Sequence, residues 1–266
     1  MPNSYSRGRR GTVMGTRDSE PRSIKSVHTA FGIVDELIDR RGAGVTELSE
    51  ALGCSKTTVH THLSTLSGLG YVTQHEDEYR ASLGFLTTGN RIRENFDLYR
   101  YGHSVADSLA ESTGEVVHLA VEEDQMVHFV HATRGGPDAI ESVTPIGRTA
   151  LLHATAVGKA MLAHMPDERR DALLPDELEP MTTRTITDRD LLLEELDQIR
   201  EQGYSVNDQE QVLGARSVAC PVKYVTGELM GAIAVSGHAS RLDDRSIEEL
   251  AVSVKEAANQ IEIDQG

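Results

Sequence analysis

Between Ser26 and Ser82 glycines cut the chain into short segments, and their spacing leaves few folds open. Val27, Ala30, Phe31, Val34, Leu37 and Ile38 recur at intervals of three and four, which predicts a helix with one apolar face that ends at Gly42 and Gly44. A second helix follows, with Thr46 as its expected N-cap and Leu48, Ala51 and Leu52 as its buried side. Gly53 and Cys54 make a turn. Ser55 starts a third helix through Leu66, with Val59, Leu63 and Leu66 inward, and Gly68 and Gly70 close it. Residues 71–75 and 79–82 alternate on either side of the polar tip Glu76-Asp77-Glu78, as a β-hairpin does. Three short helices and a hairpin at this spacing form a winged helix-turn-helix.

The third helix carries the chemistry of this segment. Its outward positions are Ser55, Lys56, Thr57, Thr58, His60, Thr61 and Ser64, and it contains no acidic residue. A helix that enters the major groove of double-stranded DNA needs a slim polar face near its N-terminus, and hydroxyls suit both phosphates and base edges. The acids of this region sit in the first two helices and at the hairpin tip. DNA binding is therefore expected; a protein-contact role is the alternative for a winged domain. His60 and His62 are two residues apart on a helix and diverge, which argues for contact roles rather than metal ligation.

Net charge raises an objection. The 266 residues carry 26 Lys+Arg against 42 Asp+Glu, a formal charge of -16, and phosphate contacts need cations. The acids are unevenly spread, however. Residues 1–25 hold six cationic and two acidic residues, 26–100 hold seven and ten, and the rest of the chain holds 13 and 30. The Gly/Ser-rich segment 1–22 reads as a basic disordered tail, with a purely solubilising role as the alternative. Only five of the 26 cations are lysines, and a surface so acidic stays hydrated in high salt, so a salt-rich cytoplasm is expected, with an ordinary acidic cytoplasmic protein as the alternative. Cys54 and Cys220 can build neither a disulfide framework nor a zinc knuckle, as suits a reducing compartment. No apolar run approaches the roughly 18 residues of a membrane span, and no apolar segment follows the basic N-terminus. A cytoplasmic protein without membrane association is the reading.

Residues 88–109 are predicted as a linker helix, with Gly102 as a point of interruption and the first helix of the second domain as the alternative. Beyond it, residues 116–121 and 126–131 read as a hairpin, 140–143 as a third strand, and 216–222 and 228–236 as the last strands. Thr155 caps a helix that Pro166 ends. The Thr-Ile-Thr-Asp run ending at Asp188 starts another, and residues 243–263 form the last. An antiparallel sheet flanked by helices, an α+β fold, follows. Gly158-Lys159-Ala160 looks like part of a phosphate loop but lacks both the earlier glycine and the following Ser/Thr. No nucleophile elbow, zinc-protease motif or thiol cluster occurs, and His118, His128 and His131 lie in strands where structural roles are expected. A pocket rather than a reaction centre is predicted, with no catalytic residue, cofactor or metal. An enzyme or a ligand-free assembly protein on the same fold are the competing readings.

Several blocks then converge. Residues 24–34 (IKSVHTAFGIV), 152–163 (LHATAVGKAMLA) and 203–210 (GYSVNDQE) are followed by Gly214 with residues 218–222 (VACPV), and by residues 232–237 (AIAVSG). In this order they resemble the IclR family of bacterial and archaeal transcriptional regulators, over nearly the whole chain from Arg22. The resemblance implies a winged helix-turn-helix over 23–86, a linker helix over 87–102 and a GAF-like effector-binding domain over 103–266. It implies a homodimer or dimer of dimers, joined through the DNA-binding domains and linker helices, and a small-molecule effector: a carboxylate, an aromatic acid or a sugar derivative. The pocket would be lined by Ala156, Val157, Asn207, Asp208, Ser217, Ala234 and Ser236; Ala234 departs from members that carry a hydroxyl there. Residues 156 and 157 follow a helix N-cap, where unbonded N–H groups favour an anion. If the acid excess is an adaptation to salt, the thermal unfolding midpoint rises from low to molar KCl; a midpoint unmoved by KCl would rule that out.

Overall fold

A computed structural model describes residues 23–140 and 144–265. The expected tail over 1–22 lies outside the described residues, as does most of the strand expected at 140–143; Ile140 itself is in no strand. The chain divides into two compact units, one ending at Gly89 and the other beginning at Asn90.

The first unit holds α1 (Lys25–Arg40), α2 (Val45–Leu52), α3 (Lys56–Gly68), β1 (Val72–His75) and β2 (Glu78–Ala81), and the unit boundary falls within α4 (Gly84–Arg93). Its helices stop and start on identifiable groups. Arg41 ends α1 in the left-handed region, with φ 63°. The N-cap of α2 is Gly44 rather than Thr46: Glu47 Oε2 accepts the Gly44 N–H at 2.8 Å, and a first-turn carboxylate at that spacing closes the box. Ser55 caps α3, its hydroxyl accepting the Thr58 N–H at 3.1 Å. Ile33, Leu37, Leu48, Val59, Leu63, Val72 and Tyr79 form the core. Ala43 pairs with Tyr79 and extends the hairpin by a short bridge. The apolar face expected on α1 needs correction. Val34 and Leu37 are buried together with Ile33, whereas Val27, Phe31 and Ile38 are at least half exposed, as is Ile24. Two apolar stripes run along this helix, and a periodicity of three and four merges them.

The second unit is an antiparallel sheet between helices. The structure splits the predicted linker helix at residues 94–96, so that α5 (Asp97–Thr113) stands apart from α4. Gly102 does not interrupt it; a side chain there would press on Leu119 and Ile261, so the glycine permits close packing. The strands are β3 (Val116–Glu123), β4 (Met126–Arg134), β5 (Thr149–Leu151), β6 (Ser205–Asp208), β7 (Ala215–Lys223) and β8 (Leu229–His238), in the order β5-β4-β3-β8-β7-β6. Asp124 and Gln125, both with positive φ, turn β3 into β4. The helices α6 (Ala156–His164), α7 (Asp167–Leu173), α8 (Arg189–Gln202) and α9 (Asp244–Ile263) complete the unit.

Strand alternation sorts the side chains. Val117, Leu119, Val121, Val222, Ile233 and Val235 face one way, into a core with Leu98 and Leu109 of α5 and Val254 and Ile261 of α9. Ala120, Phe129, Ala219, Ala232 and Ala234 face the other way, beneath Ala160 and Met161 of α6 and Leu192 and Leu196 of α8. Four alanines make a shallow floor, and α6 settles closely on it. A Cβ at Gly158 would collide with the main chain of Leu152. Gly158→Ala is expected to destabilise the chain by about 2–3 kcal/mol, because the obstructing atoms are backbone. Urea unfolding checks this, and a loss within experimental error would contradict it.

Candidate functional site

The first unit offers a helix face. Ser55, Lys56, Thr57, His60, Thr61 and Ser64 are exposed and Thr58 is partly buried. Some of these hydroxyls are already engaged. Ser55 and Thr58 share a contact of 2.8 Å at the cap, and Thr61 Oγ1 donates to the Thr57 carbonyl at 2.9 Å. Among the described residues no hydrogen bond or ion pair holds the side chains of Lys56, Thr57, His60 or Ser64. His62 points back into the unit: its ring nitrogens lie 2.8 Å from the Thr58 carbonyl and 3.1 Å from that of Ser26. It fastens α3 to the start of α1 instead of joining the exposed face. No group of three His, Cys, Asp or Glu side chains among the described residues could hold a metal.

The second unit has a cavity at the N-terminal end of α6. Ala156, Val157, Asn207, Ser217, Ala234 and Ser236 line it, together with His118, Phe129, Thr144, Thr155, Gln211, Val212 and Ala215. Its empty space is about 440 Å³ counting the mouth. The sheet register explains the grouping. His118 pairs with Ala234, and Ser236 lies between Val116 and Ser217, all on the face that α6 covers. Thr155 caps α6 by accepting the Gly158 N–H at 3.1 Å, which leaves the N–H groups of Ala156 and Val157 ahead of the first intrahelical bond.

The polar groups of this cavity are not equally available. Asn207 Nδ2 donates to the Ala154 carbonyl at 2.7 Å, and its Oδ1 accepts the Glu210 N–H at 3.2 Å, so this amide frames the wall. Ser217 Oγ donates to Ser236 Oγ at 2.9 Å, which leaves the Ser236 hydroxyl hydrogen to act elsewhere. Asp208 does not belong with the other six. It is adjacent to Asn207 in a strand, so its side chain turns to the opposite side, where it pairs with Arg184 at 2.7 Å and Arg216 at 3.3 Å. His118, Phe129, Thr144 and Gln211 arrive from elements that the sequence blocks do not mark. The one available signal was a histidine at an inward position of an otherwise apolar strand.

Among the described residues no Lys or Arg lines the cavity. Neutral donors and a helix N-terminus suit a small anion or a polar neutral molecule. His118 stays uncharged: burial, aided by His131, pushes its pKa down to about 4, against the weaker pull of the Thr144 main chain.

Comparison with known proteins places both units. Residues 91–263 match the family model "Bacterial transcriptional regulator IclR C-terminal", and residues 26–76 match the IclR helix-turn-helix domain. The probable HTH-type transcriptional regulator ArcR of Halobacterium salinarum is 34% identical over 255 residues, spanning 92% of this chain and 95% of the relative. The HTH-type transcriptional regulator KdgR of Escherichia coli is 33% identical over 252 residues, spanning 94% and 95%. The crystal structure of Thermotoga maritima IclR superposes with a TM-score of 0.83 at 26% identity, covering 91% of this chain and 98% of that one.

The histidine predicts a pH dependence. An unfolded His118 binds a proton near pH 6.5 and the folded one only near pH 4, so stability is lost as the pH falls through that window. The loss is on the order of 3 kcal/mol. In His118→Gln the acid-side slope of stability against pH is expected to be shallower; a slope equal to the wild type's would show that His118 already titrates normally.

Proposed function

Because this chain belongs to the IclR family of transcriptional regulators, whose members are DNA-binding regulators rather than enzymes, we propose that it reads an operator with α3 and senses a small carboxylate in the cavity at α6. The observation that carries this reading is the pairing, in one chain, of an exposed acid-free helix with a polar cavity at a helix N-terminus. Lys56 and Thr57 lead the DNA contacts, with Ser55, Thr58, His60, Thr61 and Ser64 beside them at phosphates and base edges. The effector meets the N–H groups of Ala156 and Val157 and the Ser217–Ser236 pair, with Ala234 as the floor and Asn207 as a frame. Aromatic acids and sugar acids share the carboxylate that this end of the cavity suits. Asp208 has no place in this site.

The working assignment keeps a basic tail at 1–22, a DNA-binding domain at 23–86, a linker at 87–102 and a GAF-like effector domain at 103–266. The regulator acts as a homodimer or dimer of dimers. The apolar stripe of Ile24, Val27, Phe31 and Ile38 on α1 is left uncovered in a single chain and suits a second copy. Effector binding shifts the population of paired DNA-binding domains toward or away from the half-site spacing. No described helix is long and apolar enough to cross a membrane. The acid excess and scarce lysines support a salt-rich cytoplasm, as in a halophilic archaeon.

Genomic footprinting of the tagged protein supplies the operator for the test. Lys56→Glu with Thr57→Glu is expected to weaken operator binding at fixed salt by at least about a hundredfold, since two phosphate-facing positions become repulsive. Unchanged affinity would refute the α3 assignment. Calorimetric titration with small carboxylates, aromatic acids and sugar acids tests the sensor. A wild type that binds none of them, and whose operator affinity none of them changes, would overturn it.

A further inference from the structure

Lys159, which sits in what resembles part of a phosphate loop, is fully buried. Its Nζ lies 2.7 Å from Glu195 Oε1 and 2.6 Å from Glu210 Oε1, so its charge is engaged inside the protein. One ammonium thus faces two carboxylates. The second oxygen of each, Glu195 Oε2 and Glu210 Oε2, is buried without a hydrogen-bond partner. With both carboxylates ionised, the interior would hold an unbalanced negative charge and two unsolvated acceptors, which buried charges avoid. One proton on Glu210 removes the excess charge.

The cluster stands directly behind the cavity. Lys159 comes from α6, two residues beyond Val157. Glu195 comes from α8. Glu210 follows β6, on the segment whose Asn207, Gln211 and Val212 line the cavity. The Glu210 main chain is tied on both sides: its N–H donates to Asn207 Oδ1, and its carbonyl accepts from Thr185 Oγ1 at 2.6 Å and Thr182 Oγ1 at 3.2 Å. Burial pushes the Glu210 carboxyl up; Lys159 opposes this, while Glu195 adds to it and the Asp208 main chain opposes it more weakly. His153 also lies in the field of Lys159, and its ring bonds the Glu179 carbonyl at 3.0 Å. Arg184 and Asp208 pair with each other on the far side of β6.

We infer that Lys159, Glu195 and Glu210 form a one-proton latch on the cavity wall. With the proton bound, Glu210 stays against Lys159 and the 207–212 segment closes the cavity. When the proton leaves to solvent, the cluster carries one carboxylate too many, Glu210 withdraws toward water, and the segment loosens. The latch deepens the sensor reading and rests on it for its biological use: cavity access rises with pH.

Hydrogen exchange of the 207–212 amides in the full chain, without any ligand, reads the latch directly. After correction for intrinsic exchange, wild-type protection is expected to fall at least about tenfold as the pH rises past the ordinary carboxylate range and the burial-raised Glu210 carboxyl deprotonates. Glu210→Gln and Glu195→Gln each leave one carboxylate for one ammonium, and each is expected to hold protection high and flat across that rise. Glu195 is the more exposed of the two carboxylates, so its variant tests the latch even if the other disturbs packing. A flat wild-type profile, a Gln variant that keeps the wild-type slope, or Gln variants with protection that is flat but low would each overturn the latch. Because no effector enters this measurement, failure of every carboxylate in calorimetry would overturn the sensor reading while leaving the exchange result standing.

Discussion

A side chain of any size at position 158 would strike the main chain of Leu152, and α6 therefore rests directly on the alanines of the sheet. That close seating brings the first turn of α6, with its unbonded N–H groups, to the sheet face where Ser217, Ser236 and His118 stand. It also carries Lys159 into the interior, within reach of α8 and of the segment after β6. The cavity, its frame at Asn207 and the buried charge cluster all follow from one helix lying unusually near one face of the sheet. The opposite face is built from Val, Leu and Ile under α5 and α9 and holds the unit together.

Charge is sorted in the same spirit. Most acids of the chain lie on the second unit's surface, where water and salt screen them. The polar groups that go inside are neutral, like His118 and Asn207, or are matched to a partner, like Lys159. The α3 face carries no acid at all. A chain with a net charge of -16 can thus still present a surface compatible with phosphate, because binding responds to the local field rather than to the total.

Much of this was legible in the sequence. The glycine-bounded helices, the hairpin, the N-cap at Thr155 and the inward pattern of β3 and β8 are local signals, and the structure places them near where the sequence suggests. The edge strands β5 and β6 were not legible, because they are three or four residues long and, unlike the equally short strands of the hairpin, pair with segments distant in sequence or follow no tight turn that would mark them. The break between α4 and α5 was hidden for a different reason: residues 94–96 contain neither Gly nor Pro, and the preceding turn simply ends. On α1, two apolar stripes share one helix, and only packing reveals which of them the unit buries.

By itself the sequence determined the α+β class, the family and the position of the helix-turn-helix segment, since each rests on patterns within a few turns of chain. Tertiary structure decided what depends on strand register and on contacts between residues far apart. It separated Asn207 from Asp208, neighbours that the strand sends to opposite sides. It added His118 and Gln211 to the cavity, and it joined Lys159 to two glutamates located 36 and 51 residues further along the chain. No local pattern encodes such meetings, because they are set by which strand lies beside which and by how closely one helix can approach the sheet.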